Sequence, residues 1–311
     1  MRVTRLRDHL GPDAMTSHED DHRRAPLLDV RKRMRIGATL AALSGALVLS
    51  AVLVPVALAD GDKPYPLDVS FSNITINKGK PIVAGTTGAL TVPITYTLTH
   101  GADVDIAAED FFTDVELYYG GSYVNSEAGL YGDDWAHCTA ASPTVAHCTQ
   151  SIVLHPARDL FDATAGKWKA YAYARELNGQ DPGSDDYDVT RTGAVEKDGI
   201  AGPSVLRLAK LSVDASPEPV RKGATITVTG RLTRAGWEGA KYAGYGNQAV
   251  KLQFRKNGTN TYTTVKTIRT AANGDLKTTV KATVDGFFRY VSATTTTTSD
   301  AYAAPDFIDV K

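Results

Sequence analysis

Residues 136–148, AHCTAASPTVAHC, hold both cysteines of the chain, each preceded by Ala-His. Two Cys with two His are the donor set of a structural zinc site, whereas two Cys in an oxidising compartment form a disulfide. Strand geometry separates the readings. Neighbouring residues on a strand point to opposite faces, so His137 and Cys138 cannot turn to one metal, nor can His147 and Cys148. Ser142-Pro143 is a turn signal, and DDWAHCTA and TVAHCTQSIVL read as the arms of a hairpin. The expected chemistry is a disulfide between Cys138 and Cys148.

Carboxylates are the next candidates. DVDIAAED places Asp103 and Asp105 on one strand face with Glu109 and Asp110 following, and DPGSDDYD gathers Asp181, Asp185, Asp186 and Asp188 in one loop. Oxygen ligands in a loop suit calcium, but no D-x-D-x-D-G pattern is present. The plainer reading is a set of solvated acidic turns and no cofactor. Carboxylates such as Glu116 and Glu176, on expected strands, could serve as a pair for glycoside hydrolysis, but any β protein offers such candidates. There is no G-x-S-x-G elbow, H-E-x-x-H or phosphate loop. A hydrolase is therefore the third-ranked reading, behind a binding protein and a calcium-dependent adhesin.

One loop has aromatic content. RAGWEGAKYAGYGNQ spaces Trp237, Tyr242 and Tyr245 among glycines. Rings in a loop can stack on sugars or anchor a protein; they can also cap the end of a fold.

The elements that position these groups begin after residue 60. Arg-Lys-Arg-Met-Arg at 31–35 is followed by an apolar run ending Ala57-Leu58-Ala59, with Pro55 just before it. That is the pattern of a secretory signal peptide over 34–59, cleaved after Ala59. The alternative is an uncut anchor, since the run is long enough to span a bilayer. Either way the rest lies outside the cell, which favours the disulfide. Met34 gives a signal of ordinary length, so 1–33 reads as a disordered extension or a mis-assigned start.

The expected mature chain is all-β. ATITVTGRL, NQAVKLQFRKNG and DLKTTVKATV alternate apolar and polar residues with period two, so their strands are half buried against a second sheet. Asn257-Gly258 and Asn273-Gly274 read as tight hairpins. Seven expected strands over 206–311 make an immunoglobulin-like sandwich. Residues 64–203 form a second sandwich, in which Pro93 marks an edge strand or a strand start. KDGIAGP, with Gly199, Gly202 and Pro203, reads as a hinge.

The stretch LSVDASPEPVRKGATITVTGRLTRAGWEGAKYAGYGNQAVKLQFRKNGTNTYTTVKTIRT, with VDGFFRYV after it, resembles the bacterial Ig-like modules of secreted actinomycete proteins. VSFSNITINKGKPIVAGTTGALTVPITYTLTHGADV is similar to the first module of the same proteins, a domain of unknown function. The resemblance covers nearly all of 64–311. It implies two tandem Ig-like domains and no catalytic residue, and some relatives carry a calcium-binding label.

Charge divides sharply. Residues 60–203 carry 9 Lys/Arg against 21 Asp/Glu, and residues 204–311 carry 16 against 8, so nets of −12 and +8 hide inside a near-neutral total. Such a dipole can hold the halves together by attraction, or aim the basic half at a polyanion. Outside the cell the expected partner is an anionic cell-wall polymer, a glycan or a surface protein. Nucleic acid is not expected, and the membrane only through the signal segment. The sequence reading is a secreted, non-catalytic cell-envelope binding or structural protein.

Overall fold

The computed structural model describes residues 63–311. The expectations for 1–33 and 34–59 lie outside the described residues. The strands, in chain order, are β1 (Tyr65–Pro66), β2 (Val69–Ile76), β3 (Ile82–Ala84), β4 (Leu90–His100), β5 (Phe111–Gly120), β6 (Ser126–Leu130), β7 (His137–Ser142), β8 (Val145–Leu154), β9 (Gly166–Glu176) and β10 (Gly193–Arg207). They continue with β11 (Ala209–Leu211), β12 (Asp214–Ser216), β13 (Thr225–Gly236), β14 (Lys241–Gly244), β15 (Ala249–Lys256), β16 (Thr263–Arg269), β17 (Asp275–Lys281), β18 (Gly286–Ser292), β19 (Ala301–Tyr302) and β20 (Asp306–Ile308). The described chain is all-β apart from a few short helical turns.

The chain divides into two compact units. The smaller comprises the described residues up to Leu67 together with Ala107–Phe111 and Arg175–Ala194; the larger comprises the rest. Within the smaller unit β1 runs parallel to the start of β10, Tyr65 opposite Gly193. A Cβ on Gly193 would meet the Tyr65 ring at 2.8 Å, so glycine is what lets the ring lie there. The Tyr65 hydroxyl donates to Glu176 Oε2 at 2.7 Å and accepts from the Asn178 amide at 2.7 Å.

The larger unit contains four sheet layers. The first two are β2-β4-β8-β7 and β10-β9-β5-β6, with β3 alongside the end of β10. Val92, Ile94, Tyr96 and Leu98 alternate along β4 and are all buried, as are Val115 and Leu117 of β5. The Tyr96 and Thr113 hydroxyls meet at 3.0 Å, joining the layers. Contrary to expectation, β4 is an inner strand, pairing β2 on one side and β8 on the other. Pro93 stands one position beyond the last β2 pair, Ile76 with Ile94, where that ladder has ended.

The second pair of layers is β11-β13-β12, with β14 and β17 on β13, and β16-β15-β18-β19, with β20 on β18. Ile226, Val228 and Leu232 of β13 pack with Val250, Leu252, Leu276, Phe288 and Tyr290 in one buried core. The Tyr290 hydroxyl donates across it to the Val228 carbonyl at 3.0 Å. Thus the period-two alternation is realised in β13, β15 and the first part of β17, whereas Val284, expected on the same apolar face, is exposed. The Asn273-Gly274 turn is not a hairpin, however. β16 pairs β15 while β17 pairs β13, so this turn carries the chain from one layer to the other. Gly274 has φ +88°, and a Cβ there would meet the Leu232 carbonyl oxygen at 2.2 Å.

The expected hinge is also corrected. Gly193–Arg207 is one strand of 15 residues, and its end, Val205 to Arg207, pairs in parallel with Ile82 to Ala84 of β3. Gly202 serves close packing there: a Cβ would meet the Trp168 carbonyl oxygen at 2.8 Å. The segment looks like a loop in sequence because its outward positions are polar, while its backbone is held by neighbouring strands.

Candidate binding face

Cys138 and Cys148 face each other as cross-strand partners of β7 and β8, with Cα atoms 4.0 Å apart and sulfurs bonded at 1.95 Å. Cys148 is buried, whereas His137 and His147 are exposed, one position along each strand from the sulfurs. The pair is a staple on one hairpin.

The acidic loop does not assemble a cation cage. The Asp181 side chain accepts from the Gly183 N–H at 2.8 Å, and Asp188 caps a turn by accepting from the Thr190 N–H at 3.0 Å and hydroxyl at 2.6 Å. Those two bonds hold the Asp188 carboxyl below the usual carboxylate range. Asp185 and Asp186 are exposed. Among the described residues no three His, Cys, Asp or Glu side chains are placed to hold a metal ion. Glu116 is buried on β5 and accepts from the Tyr123 hydroxyl at 2.5 Å. Glu176 is engaged by Tyr65, as above.

The aromatic loop is resolved against ligand stacking at its centre. Trp237 is 0% exposed. Its indole N–H donates to the Ala84 carbonyl at 3.2 Å, and its backbone N–H to Asp162 Oδ1 at 2.8 Å. The same Ala84 oxygen accepts from the Leu208 N–H at 2.8 Å, so both lone pairs are used. Arg207, buried, donates to the Ala235 carbonyl and pairs with Asp162 at 2.9 Å. Trp237 is therefore the plug of a seam joining β3 and β10 to β13. Tyr242 lies beneath the Lys210 ammonium, 3.8 Å from its ring centre, and Tyr245 beneath Arg234 at 4.2 Å. One face of each ring is thus covered by a cation of the same chain. The partners of Trp237 and Tyr242 (Ala84, Asp162 and Lys210) come from outside the stretch, whereas Arg234 over Tyr245 opens it.

What the loop does not offer, the outer face of the β16-β15-β18-β19 sheet does. With Val250 and Leu252 turned inward, Lys251, Gln253 and Arg255 point outward from β15; with Phe288 and Tyr290 inward, Phe287, Arg289 and Val291 point outward from β18. Register sets Gln253 beside Arg289 and Arg255 beside Phe287. β19 and β20 add Tyr302, 59% exposed, and Phe307, whose ring centre lies 5.0 Å from that of Phe287. The Arg289 guanidinium sits 3.6 Å from the Tyr262 ring centre and 5.4 Å from that of Tyr302. Arg255 sits 4.1 Å from the Phe287 ring. Cations over ring faces are attracted by the ring quadrupole and held in place without a counter-charge.

β15, β16 and β18 contain no Asp or Glu, and among the described residues no carboxylate pairs with Lys251, Arg255 or Arg289. Arg269 adds a further cation at the edge strand β16. The sequence carried this signal in the polar half of each alternation, where cations and aromatics recur. Only the strand register shows that they share one surface.

No protein-family profile matches the chain, and no curated protein does. Among solved structures it is similar to a 1.5-MDa bacterial ice-binding adhesin, at 16% identity over 80% of this chain and 67% of that one, with a TM-score of 0.25. It is similar to the adhesin InvE of Yersinia pseudotuberculosis at 13% identity, over 76% of this chain and 59% of that one, TM-score 0.23. The ectodomain of mouse nectin-like molecule 4 follows at 11%, 79% and 65%, TM-score 0.22. At TM-scores this low the likeness carries no argument. Identities and overlaps this low carry no functional argument.

Proposed function

We propose that this chain is a secreted, non-catalytic binding protein of the cell envelope, whose basic half, 206–311, takes an anionic wall polymer. The observation that supports this most is the outer face of the β16-β15-β18-β19 sheet, where Lys251, Arg255, Arg269 and Arg289 stand together with no carboxylate from β15, β16 or β18. Cations held without counter-charges keep an attractive field for a polyanion at short range, where salt screens them least. The disulfide at Cys138 and Cys148 suits an oxidising, extracellular setting. The engaged state of Glu116, Asp181 and Asp188 favours binding without calcium over an adhesin that needs it, and over hydrolysis.

The test is co-sedimentation of the purified chain with cell-wall fractions, before and after chemical removal of their anionic polymers, in calcium and in chelator. Binding that vanishes with the anionic polymer and ignores the chelator is the expected result. Retention on stripped walls, or release by chelator, would overturn it.

A further inference from the structure

We infer that Arg289 and Tyr302 form a recognition site for a sugar ring that bears a carboxylate, so that the preferred ligand of the basic face is a uronic-acid polysaccharide. This rests on the reading of that face as a polyanion surface and adds a chemical preference to it.

Arg289 is held from two sides. Its Nε donates to the Gln253 side-chain oxygen at 2.9 Å, and its guanidinium lies flat enough on Tyr262 to sit 3.6 Å from the ring centre. One edge and one face are thereby fixed. The two terminal nitrogens have no partner among the described residues and form a preoriented fork for a planar anion. Holding the fork before the ligand arrives removes part of the ordering cost of binding.

The second part is the neighbouring ring. Tyr302 is 59% exposed and the Arg289 guanidinium stands over its ring, 5.4 Å from the centre, so a sugar ring packed against the exposed part of Tyr302 brings its substituents near the fork. A pyranose has an apolar C–H face for an aromatic ring. In a uronic acid the carboxylate is bonded directly to a ring carbon, so ring and charge arrive side by side at the spacing Tyr302 and Arg289 offer. An acidic peptide brings its carboxylate on a flexible stem with no ring, and a phosphodiester chain carries its charge between sugars. Neither uses both groups at once. Register extends the surface: Lys251 lies opposite Val291, which in turn pairs Tyr302, so a further cation stands two strands from the ring for the next charge along a chain.

The experiment is calorimetric titration of the full chain with three polymers: polygalacturonate, polyglutamate of matched charge, and neutral dextran. Polygalacturonate should bind at least about tenfold more tightly than polyglutamate, and dextran not measurably. Arg289→Lys keeps the charge but removes the fork, and Tyr302→Ala removes only an exposed ring. Each should weaken polygalacturonate about tenfold and polyglutamate by less than about twofold. Lys277→Gln, on the outer face of the opposite sheet, should leave both unchanged. Thermal melting of each variant checks that the fold persists. Equal affinity for the two polyanions, or an Arg289→Lys variant that binds polygalacturonate like the parent, would overturn the ring-and-carboxylate preference while leaving polyanion binding intact. If the unmodified chain bound neither polyanion, the reading beneath it would fall as well.

Discussion

The indole N–H of Trp237 donates to the carbonyl of Ala84 at 3.2 Å, across 153 positions of sequence. This bond closes a seam with Val205 and Leu206, which are 0% and 3% exposed, and with the Arg207–Asp162 pair at 2.9 Å. Residues of the acidic and basic stretches therefore meet here through apolar packing, hydrogen bonds and one partly buried ion pair. Raising salt to roughly 0.5 M should leave the Trp237 environment unchanged, since contacts of this kind are not screened. Tryptophan emission followed across a salt series checks it; a red shift with salt would restore the electrostatic account.

Trp237→Ala removes a fully buried indole and should lower stability by about 3–5 kcal/mol. Trp237→Phe keeps much of the packing but leaves the Ala84 carbonyl one donor short, costing about 1 kcal/mol. Asp162→Ala strands the buried Arg207 guanidinium, a loss of about 3 kcal/mol, at the low end of the range because Asp162 is 32% exposed. Urea denaturation of the three variants ranks them. An Asp162→Ala protein as stable as the parent would show that water already satisfies Arg207.

The Cys138–Cys148 bond spans 10 positions, and its reduction should lower stability by about 2.5–3 kcal/mol on the chain-entropy argument. Denaturation with and without reductant measures this. The core around Val228, Leu252 and Tyr290 contains no cysteine, so amide exchange there should be the least affected.

Asp198 supplies a pH dependence. Burial works to raise its pKa, but hydrogen bonds from the Tyr118 hydroxyl and the N–H groups of Tyr123 and Gly199, with help from Lys169, hold it below the usual carboxylate range. A depressed folded pKa stabilises above the unfolded value, about 4, and that contribution is lost as pH falls through the folded value. Its partner behaves oppositely: burial pushes the Tyr118 hydroxyl up to about 12, so its contribution is complete below the unfolded value near 10 and is lost as pH rises through 12. Asp198→Asn should be less stable at pH 7 yet lose less stability than the parent between about pH 4 and 2. Parallel curves for parent and variant would remove Asp198 from the account.

Much of this architecture was legible before any coordinates, because half-buried strands announce themselves by alternation. Val250-Lys251-Leu252-Gln253 in β15 is read correctly by period two alone, and so is Val92 to Leu98 in β4. The failures share a cause: backbone pairing is decided by partners that sequence does not name. Asn273-Gly274 has hairpin chemistry but joins strands of different layers, and Gly199 to Pro203 have linker chemistry but lie inside β10. Trp237 in a glycine-rich loop looks available to a ligand until Ala84 and Asp162 are found against it. The proposed binding face was half visible as the polar side of β15 and β18. Its meaning depended on Gln253 pairing Arg289, which only register supplies.

Calcium should not matter to the acidic loop. Asp181 and Asp188 already accept hydrogen bonds from their own backbone, so millimolar calcium should shift the melting temperature no more than equal magnesium does. A calcium-specific rise, abolished by Asp185→Ala with Asp186→Ala, would reinstate a metal role for Asp181, Asp185, Asp186 and Asp188.

In the proposed function one face, not net charge, binds the polyanion. Two double charge reversals separate these: Lys251→Glu with Arg269→Glu on the outer face of the β15-β16 layer, and Lys222→Glu with Lys281→Glu elsewhere on the basic half. Both pairs change the net charge equally, and all four side chains are exposed. Titration of polygalacturonate into each should show binding abolished by the first pair and changed by less than about threefold by the second, since remote exposed charges are largely screened at physiological salt. Equal losses from the two pairs would contradict the account and leave only a diffuse basic surface.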